Sequence, residues 1–420
     1  MAKNISKIII IIVLYIISNL SLHSESKHNV RLGIDNLIKS NFEVLAGKRV
    51  ILYTNQSGRT SEGTLTAEIF AEQNKFLTLA FFTPEHGLYS TVPAGEEIAN
   101  DKIFDIPIIS LYGGSKKPTA KQLENCDAVV VDIQDIGVRS YTYISTLYYI
   151  MEACAEQNVE VVILDRPNPI GGLIVDGNVV EEQFKSFIGI IPVPYLHGCT
   201  IGEIAKLING EGWLKKDGKP IKAKLNVIKM SGWQRWMSWE DTGFSWIPTS
   251  PHIPSVDAAR GYATLGSFGE LGVISIGIGT TLPFQYIGSP EFNTDDVYKS
   301  FKNNKIDGLD LIPTRYRPFY AKYSNTDCNG FLLRFKLNNH YEPYTAGFRI
   351  MLAIREIHPE IFDINTVNEK AKQMFCKATG TDELFYALFD LNATDEKVLQ
   401  ICNKGKKEFL LKRAKYLLYE

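Results

Sequence analysis

Between Arg49 and Leu164, short apolar runs alternate with amphipathic stretches. Arg49–Thr54, Leu77–Phe81, Pro107–Leu111, Ala128–Ile133 and Val159–Leu164 are rich in β-branched or aromatic side chains and bounded by turn formers, which predicts strands. Between them Glu62–Asn74, Thr119–Asn125 and Tyr141–Gln157 read as helices, with Ser61 and Ser140 placed to cap the first and last. Strands this apolar are covered on both faces, so the pattern predicts an α/β fold built on a mostly parallel sheet. Further on, Ile188–Tyr195, Lys224–Met230 and Val273–Ile278 read as extended, and Thr200 with Glu203 forms a capping box before a helix over Ile201–Ile208. From about Ser289 the character changes. Helices are predicted over Asn293–Asn303, Thr345–Ile357, Val367–Cys376, Glu383–Leu388 and Lys406–Tyr419, with short strands at Leu309–Ile312 and Phe331–Phe335. A boundary near Pro290 therefore separates a larger domain, 27–290, from a smaller α+β C-terminal domain, 291–420.

The polar residues of the first domain fall where its strands end. Asn55 and Gln56, Glu85 and His86, Gln134 and Asp135, and Asp165, Arg166 and Asn168 all follow apolar runs, and Asp132 sits near the end of its own. In open parallel sheets, ligands bind outside the carboxyl ends of the strands. Leu77–Leu88, LTLAFFTPEHGL, concentrates this arrangement: a buried strand, a stiffening Pro84, then Glu85, His86 and a permissive Gly87. His197 lies between an extended stretch and the capped helix. Trp233, Trp236, Trp239 and Trp246 cluster in one span and read either as a sugar platform or as a buried lid contact. Arg315–Tyr323, RYRPFYAKY, reads either as a cleft wall or as a domain contact.

Composition narrows the function. A net charge of −2 without a basic cluster gives no case for nucleic acid. Lys3 and Lys7 precede the apolar run Ile8–Ile17 and a polar stretch, which predicts a signal peptide over residues 1–26 and a secreted or periplasmic protein. That run is short of the roughly 20 residues a membrane span needs, so no stable span is expected once it is removed. The six cysteines are scattered without metal-finger spacing and read as buried thiols. No G-x-G-x-x-G follows a first strand, and Gly113–Lys116 lacks P-loop spacing, so no cofactor is implied.

Six motifs then occur in order: FTPEHG at Phe82–Gly87, SLYG at Ser110–Gly113, DIQDIGVRSYTY at Asp132–Tyr143, LDRPNP at Leu164–Pro169, HGCTIGE at His197–Glu203 and GIGTTLPF at Gly277–Phe284. From about Gly33 to the C-terminus the chain resembles the exo-β-N-acetylmuramidase family of glycoside hydrolases. The resemblance implies an exported bacterial enzyme that releases N-acetylmuramic acid from the non-reducing end of peptidoglycan fragments. It also implies a Rossmann-like domain without a nucleotide, a smaller C-terminal domain, and a site in the cleft between them. Glu85 matches the family's E-H-G glutamate and Glu270 a second family glutamate. The chain departs from the family at Ser250–Pro254, where it has His252 for asparagine, and at Gly277–Thr280, where Ile278 replaces arginine.

Glycoside cleavage needs a carboxyl that protonates the leaving oxygen and a second group supporting the oxocarbenium-like centre. Glu85 is the expected acid. Glu270, Asp135 and Asp165 are candidates for the second role, alongside the substrate's own acetamido oxygen. Arg139 or Arg166 is expected either to grip the lactyl carboxylate or to serve as a structural partner of Asp135 or Asp165, and Tyr141, Asn168 and His197 to contact the sugar hydroxyls, with His86, Asp132 and Gln134 lining the same site. Two other readings stand beside this one: a metal-assisted hydrolase using His86, Asp132 and His197, and a non-catalytic periplasmic protein that binds muropeptides or sugars.

Overall fold

The computed structural model describes residues 30–91, 96, 101–303, 306–336 and 341–420; the predicted signal peptide lies outside them. The chain opens with α1 (Gly33–Lys39), then β1 (Arg49–Thr54), α2 (Thr66–Glu72), β2 (Leu77–Thr83), β3 (Asp101–Ile103), β4 (Ile106–Ser110) and β5 (Ala128–Asp132). Next come α3 (Tyr143–Gln157), β6 (Glu160–Leu164), β7 (Asp176–Val179), β8 (Pro194–Leu196), α4 (Ile201–Gly210), the small ribbon β9 (Lys215–Lys216) and β10 (Lys219–Pro220), and β11 (Lys224–Ile228). Then follow α5 (Val256–Leu265), β12 (Tyr286–Ser289), α6 (Thr294–Asn303), β13 (Leu309–Tyr316) and β14 (Cys328–Phe335). Five helices finish the chain: α7 (Pro343–Ile357), α8 (Glu369–Thr379), α9 (Glu383–Phe389), α10 (Asp395–Cys402) and α11 (Lys406–Arg413).

Seven strands form one sheet in the order β11-β6-β5-β1-β2-β4-β3, parallel except for the edge strand β3. Its alternate residues serve two cores. Ile51, Tyr53, Val129 and Val131 face the larger one, which continues into the C-terminal region; Val50, Leu52, Ala128 and Val130 face the one closed by α1 and α2. Burial on both faces is why these strands read as unbroken apolar runs. The C-terminal region carries a three-stranded antiparallel sheet, β12-β14-β13, with helices beside it.

From β1 the chain moves to β2 and β4 on one side, then returns to β5, β6 and β11 on the other. Between β1 and β5 the winding direction reverses, the point at which open α/β sheets bind ligands beyond their strand ends.

Several predicted elements differ from those observed. Thr119–Asn125 forms turns rather than a helix. Val273–Ile278 is not a strand; it touches β12 only through an isolated bridge between Ser275 and Gly288. The first predicted helix starts later, at Thr66, after Gly63 turns the chain with φ 90°. The last ends at Arg413, and the tail beyond it runs back to the large sheet, where the Tyr419 hydroxyl donates to Asp165 Oδ2 at 2.5 Å. Helix α5 carries no large apolar stripe and packs by small residues: a Cβ at Gly261 would lie 2.3 Å from the Phe284 carbonyl oxygen. The capping box at Thr200 and Glu203 is formed as predicted. All six cysteines are buried and unpaired.

Candidate active site

β2 is buried from Ala80 onward and delivers Glu85 just beyond its end. The Gly87 N–H closes a turn on the Pro84 carbonyl at 3.1 Å. Both residues after Glu85 are left-handed, His86 at φ 74° and Gly87 at φ 77°. Glycine tolerates this, but a histidine rarely sits there unless its surroundings hold it, and such outliers cluster at functional sites. His86 is 8 % exposed, so it is packed in rather than solvated.

Glu85 is half-buried and accepts a hydrogen bond on Oε2 from the Thr142 hydroxyl at 3.0 Å. Thr142 stands at the N-terminus of α3, the helix that follows β5, so its bond joins the ends of two separate strands. Around it lies a wall of tyrosines. The Tyr141 hydroxyl donates to Thr249 Oγ1 at 2.8 Å, and the Tyr143 hydroxyl donates to the Thr249 carbonyl while accepting from Asn55 Nδ2. Tyr141 meets Tyr143 edge-on with ring centroids 4.6 Å apart, and Tyr262 of α5 at 6.1 Å. Ser140 Oγ lies 3.1 Å from the hydroxyls of both Tyr195 and Tyr262.

Asp135 borders the same tyrosines. Its Oδ2 accepts the Gly137 N–H at 2.7 Å, while Oδ1 is buried with no hydrogen-bond partner among the described residues. Burial pushes its carboxyl up to about 7. Burial, reinforced by the charges of Asp135 and Glu85, raises the Tyr53 phenol. Thr83 Oγ1, at the end of β2, is likewise buried without a partner among the described residues. Buried polar atoms left this way are rare and mark a place where water or a ligand completes the bonding. Glu270 is half-buried in the turn after α5, its pKa raised by burial, and its charge reaches Tyr195 and Tyr262. His252 completes the rim. Its pKa is lowered by burial and by nearby His86, and its Nε2 lies 2.8 Å from the Tyr320 hydroxyl.

The other predicted site residues are placed elsewhere. Arg139 was expected in the cleft but is 1 % exposed. Its Nη1 donates to the carbonyls of Asn178 and Val193 and its Nη2 to those of Ala378 and Thr379, at 2.7–3.1 Å. Four carbonyls take both terminal nitrogens, so the side chain joins the C-terminal region to the segments around Asn178 and Val193; Nε is buried without a partner among the described residues. Arg166 pairs with neither Asp135 nor Asp165 through its guanidinium. It holds Asp132 in a fork, Nε–Oδ1 2.6 Å and Nη2–Oδ2 2.9 Å, and the Thr66 hydroxyl adds a third bond to Asp132. Asp165 is fully buried, raised to about 6 by burial, and accepts from Thr200, Gly202, Tyr419 and the Arg166 N–H, which leaves no room for a base.

Asn168 bonds the Cys199 carbonyl and the Ile170 N–H and packs under Gly137, so it shapes the Asp135 loop. His197 is 1 % exposed and takes the Cys199 N–H on Nδ1 at 3.1 Å; burial first, then Arg413 and Arg139, lowers its pKa to about 3. Gln134 donates to the carbonyls of Asp135 and Pro167 and, with Arg166, Ser57, Arg59 and Trp239, lines a hollow of about 200 Å³. Among the described residues no three His, Cys, Asp or Glu side chains converge as metal ligands; Asp132 is committed to Arg166 and Thr66, while His197 Nε2 is buried without a hydrogen-bond partner among the described residues. Trp233 and Trp239 are buried and pack, whereas Trp236 is exposed and Trp246 half-buried, so the tryptophans do not form one platform. Sequence reasoning passed over Thr142, Tyr143, Thr249 and Tyr262. The signal for the first two was that the opening turn of a helix after β5 must face the strand ends.

Family models for the two parts of the exo-β-N-acetylmuramidase NamZ match residues 50–257 and 260–419. The chain belongs to the exo-β-N-acetylmuramidase NamZ family. It is 33% identical over 395 residues to the peptidoglycan β-N-acetylmuramidase NamZ of Bacillus subtilis, covering 94% of this chain and 92% of that protein. Two DUF1343 family proteins of Bacteroides fragilis share the fold. One superposes with a TM-score of 0.87 at 36% identity and the other with 0.73 at 26%, each covering 93% of this chain and 99% of the other. Membership in the NamZ family makes the chain a glycosidase, on a mostly parallel Rossmann-like sheet with a separate C-terminal region.

Proposed function

We propose that the chain is an exo-acting glycosidase releasing N-acetylmuramic acid from the non-reducing end of peptidoglycan fragments, with Glu85 as its general acid. The observation that carries this is the Thr142-to-Glu85 hydrogen bond at the reversal point of the sheet, beside a second buried carboxyl, Asp135. Thr142 holds the carboxyl in one orientation, so its proton can be aimed at the glycosidic oxygen. Asp135 and Glu270 both lie within electrostatic reach of the tyrosine wall, Asp135 of Tyr53 and Tyr141 and Glu270 of Tyr195 and Tyr262. We assign Asp135 the second role, support of the sugar or of its acetamido group, because its Oδ1 has no partner among the described residues. Asp165 and Arg139 have no part in the chemistry.

The test is mass spectrometry of N-acetylmuramyl-β-1,4-N-acetylglucosamine after incubation with the protein. Free N-acetylmuramic acid is expected. Binding of the disaccharide without cleavage would replace this reading with that of a muropeptide-binding protein.

The proposal includes export, argued from the basic and apolar segments before residue 27. No helix among the described residues is long and apolar enough to cross a membrane. Exported protein is expected to lack residues 1–26, which Edman sequencing of the mature chain checks.

Asp135 gives a pH signature. Its folded carboxyl titrates near 7 against roughly 3.9 in an unfolded chain, so the folded protein binds a proton there that the unfolded chain has released. The associated stability is present below about pH 4 and is lost as pH rises through 7. Relative to Asp135→Asn, the wild type should lose on the order of a few kcal/mol between pH 4 and pH 8 in urea unfolding. Parallel pH dependence of the two proteins would show the carboxyl to be ionised throughout.

A further inference from the structure

The loop joining β13 to β14 holds three non-glycine residues in the left-handed region: Ala321 at φ 66°, Tyr323 at 61° and Asn325 at 58°. Its shape is fixed by the Asn325 N–H on the Pro318 carbonyl at 2.8 Å and the Ser324 hydroxyl on the Phe319 carbonyl at 2.9 Å. It is seated on the Gly277–Thr280 turn, where the Phe319 N–H donates to the Gly279 carbonyl at 2.7 Å. The seat is close: a Cβ at Gly279 would lie 2.1 Å from the Tyr320 carbonyl oxygen. Backbone strain of this kind persists only where the surroundings impose it, and it concentrates at functional sites. What the loop presents is aromatic. Phe319 is 70% exposed and Tyr320 52%. Tyr320 is also tied by its hydroxyl to His252, three residues after Thr249, which bonds Tyr141 and Tyr143 beside the Glu85–Thr142 pair.

We propose that Phe319 and Tyr320 are a binding platform for the leaving part of the substrate, the hexosamine ring on the far side of the scissile bond. This rests on the exo-glycosidase reading and extends it. An exo-acting enzyme encloses the terminal sugar and lets the remainder project toward solvent. The enclosed end is assigned to Glu85, Asp135 and Thr83, which are half-buried or buried; exposed rings meet only what projects. The C–H face of a hexosamine packs on an aromatic ring while its hydroxyls stay in water. The bond to His252 fixes the Tyr320 ring relative to the acid, and the strained loop keeps Phe319 from folding back.

The experiment compares two substrates that share the enclosed sugar. One is the N-acetylmuramyl–N-acetylglucosamine disaccharide; the other is N-acetylmuramyl-β-fluoride, whose leaving group is a single atom. In Phe319→Ala and in Phe319→Ala/Tyr320→Ala, the ratio of kcat/KM for disaccharide over fluoride should fall roughly tenfold, through a raised KM for the disaccharide. Both side chains are exposed, so the variants should melt with the wild type. An unchanged ratio, including an equal loss on both substrates, overturns the platform and leaves the glycosidase standing. A wild type that cleaves neither substrate overturns the proposed function and the platform with it.

Discussion

Glu85→Gln should lower kcat/KM for the disaccharide by about a thousandfold, within the usual range for losing a general acid, with no change in melting temperature. The substitution is isosteric, and the amide oxygen can still accept the Thr142 hydroxyl, so the local hydrogen bonding survives. Only the transferable proton is lost. The fluoride provides an internal control, because a good leaving group needs little protonation; its hydrolysis should suffer far less than that of the disaccharide. The limb of the pH–rate profile that reports deprotonation of the acid should also vanish. Turnover of the disaccharide within threefold of wild type would remove Glu85 from the chemistry. An equal loss on both substrates would move it from acid to a role in binding or in supporting the charged centre.

The parts of this fold legible in the sequence are those whose reasons are local. β1, β2, β5 and β6 are buried on both faces, and their apolar runs show it. The Thr200–Glu203 capping box is a four-residue signal, and it is formed. Glu85 was legible because a buried strand, a proline and a glycine surround it. Helix α5 was not, since small residues let it pack closely without the large apolar stripe that periodicity detects. Val273–Ile278 has strand composition, but its only pairing is one bridge, Ser275 with Gly288.

Within the site, a polar residue at a strand end either lines the crevice or closes the structure beneath it. Which one depends on partners far along the chain. Asp165 is closed off by Tyr419, 254 residues away, and Arg139 by carbonyls 239 and 240 residues away. No spacing rule carries that information. Asp132 and Arg166, 34 residues apart, look like site residues in sequence and prove to be one buried ion pair. Such a pair is a poor source of net stability but costly to break.

Arg139→Met tests this division between lining and closing. The substitution keeps most of the aliphatic stem and removes a guanidinium bound to four backbone carbonyls, two in the large domain and two at the end of α8. Burial lowers its pKa to about 10, so the side chain is charged at neutral pH and its four bonds are charge-assisted. Losing it strands buried acceptors on both sides of the junction, and some relaxation will recover part of the loss. A destabilisation of roughly 3–5 kcal/mol is expected, seen as a lower midpoint in urea unfolding. The surviving folded enzyme should keep the wild-type KM for the disaccharide, because both terminal nitrogens are already held by backbone carbonyls. The reverse pattern, wild-type stability with a KM raised tenfold or more, would return Arg139 to the role of carboxylate grip and require the junction to open in solution.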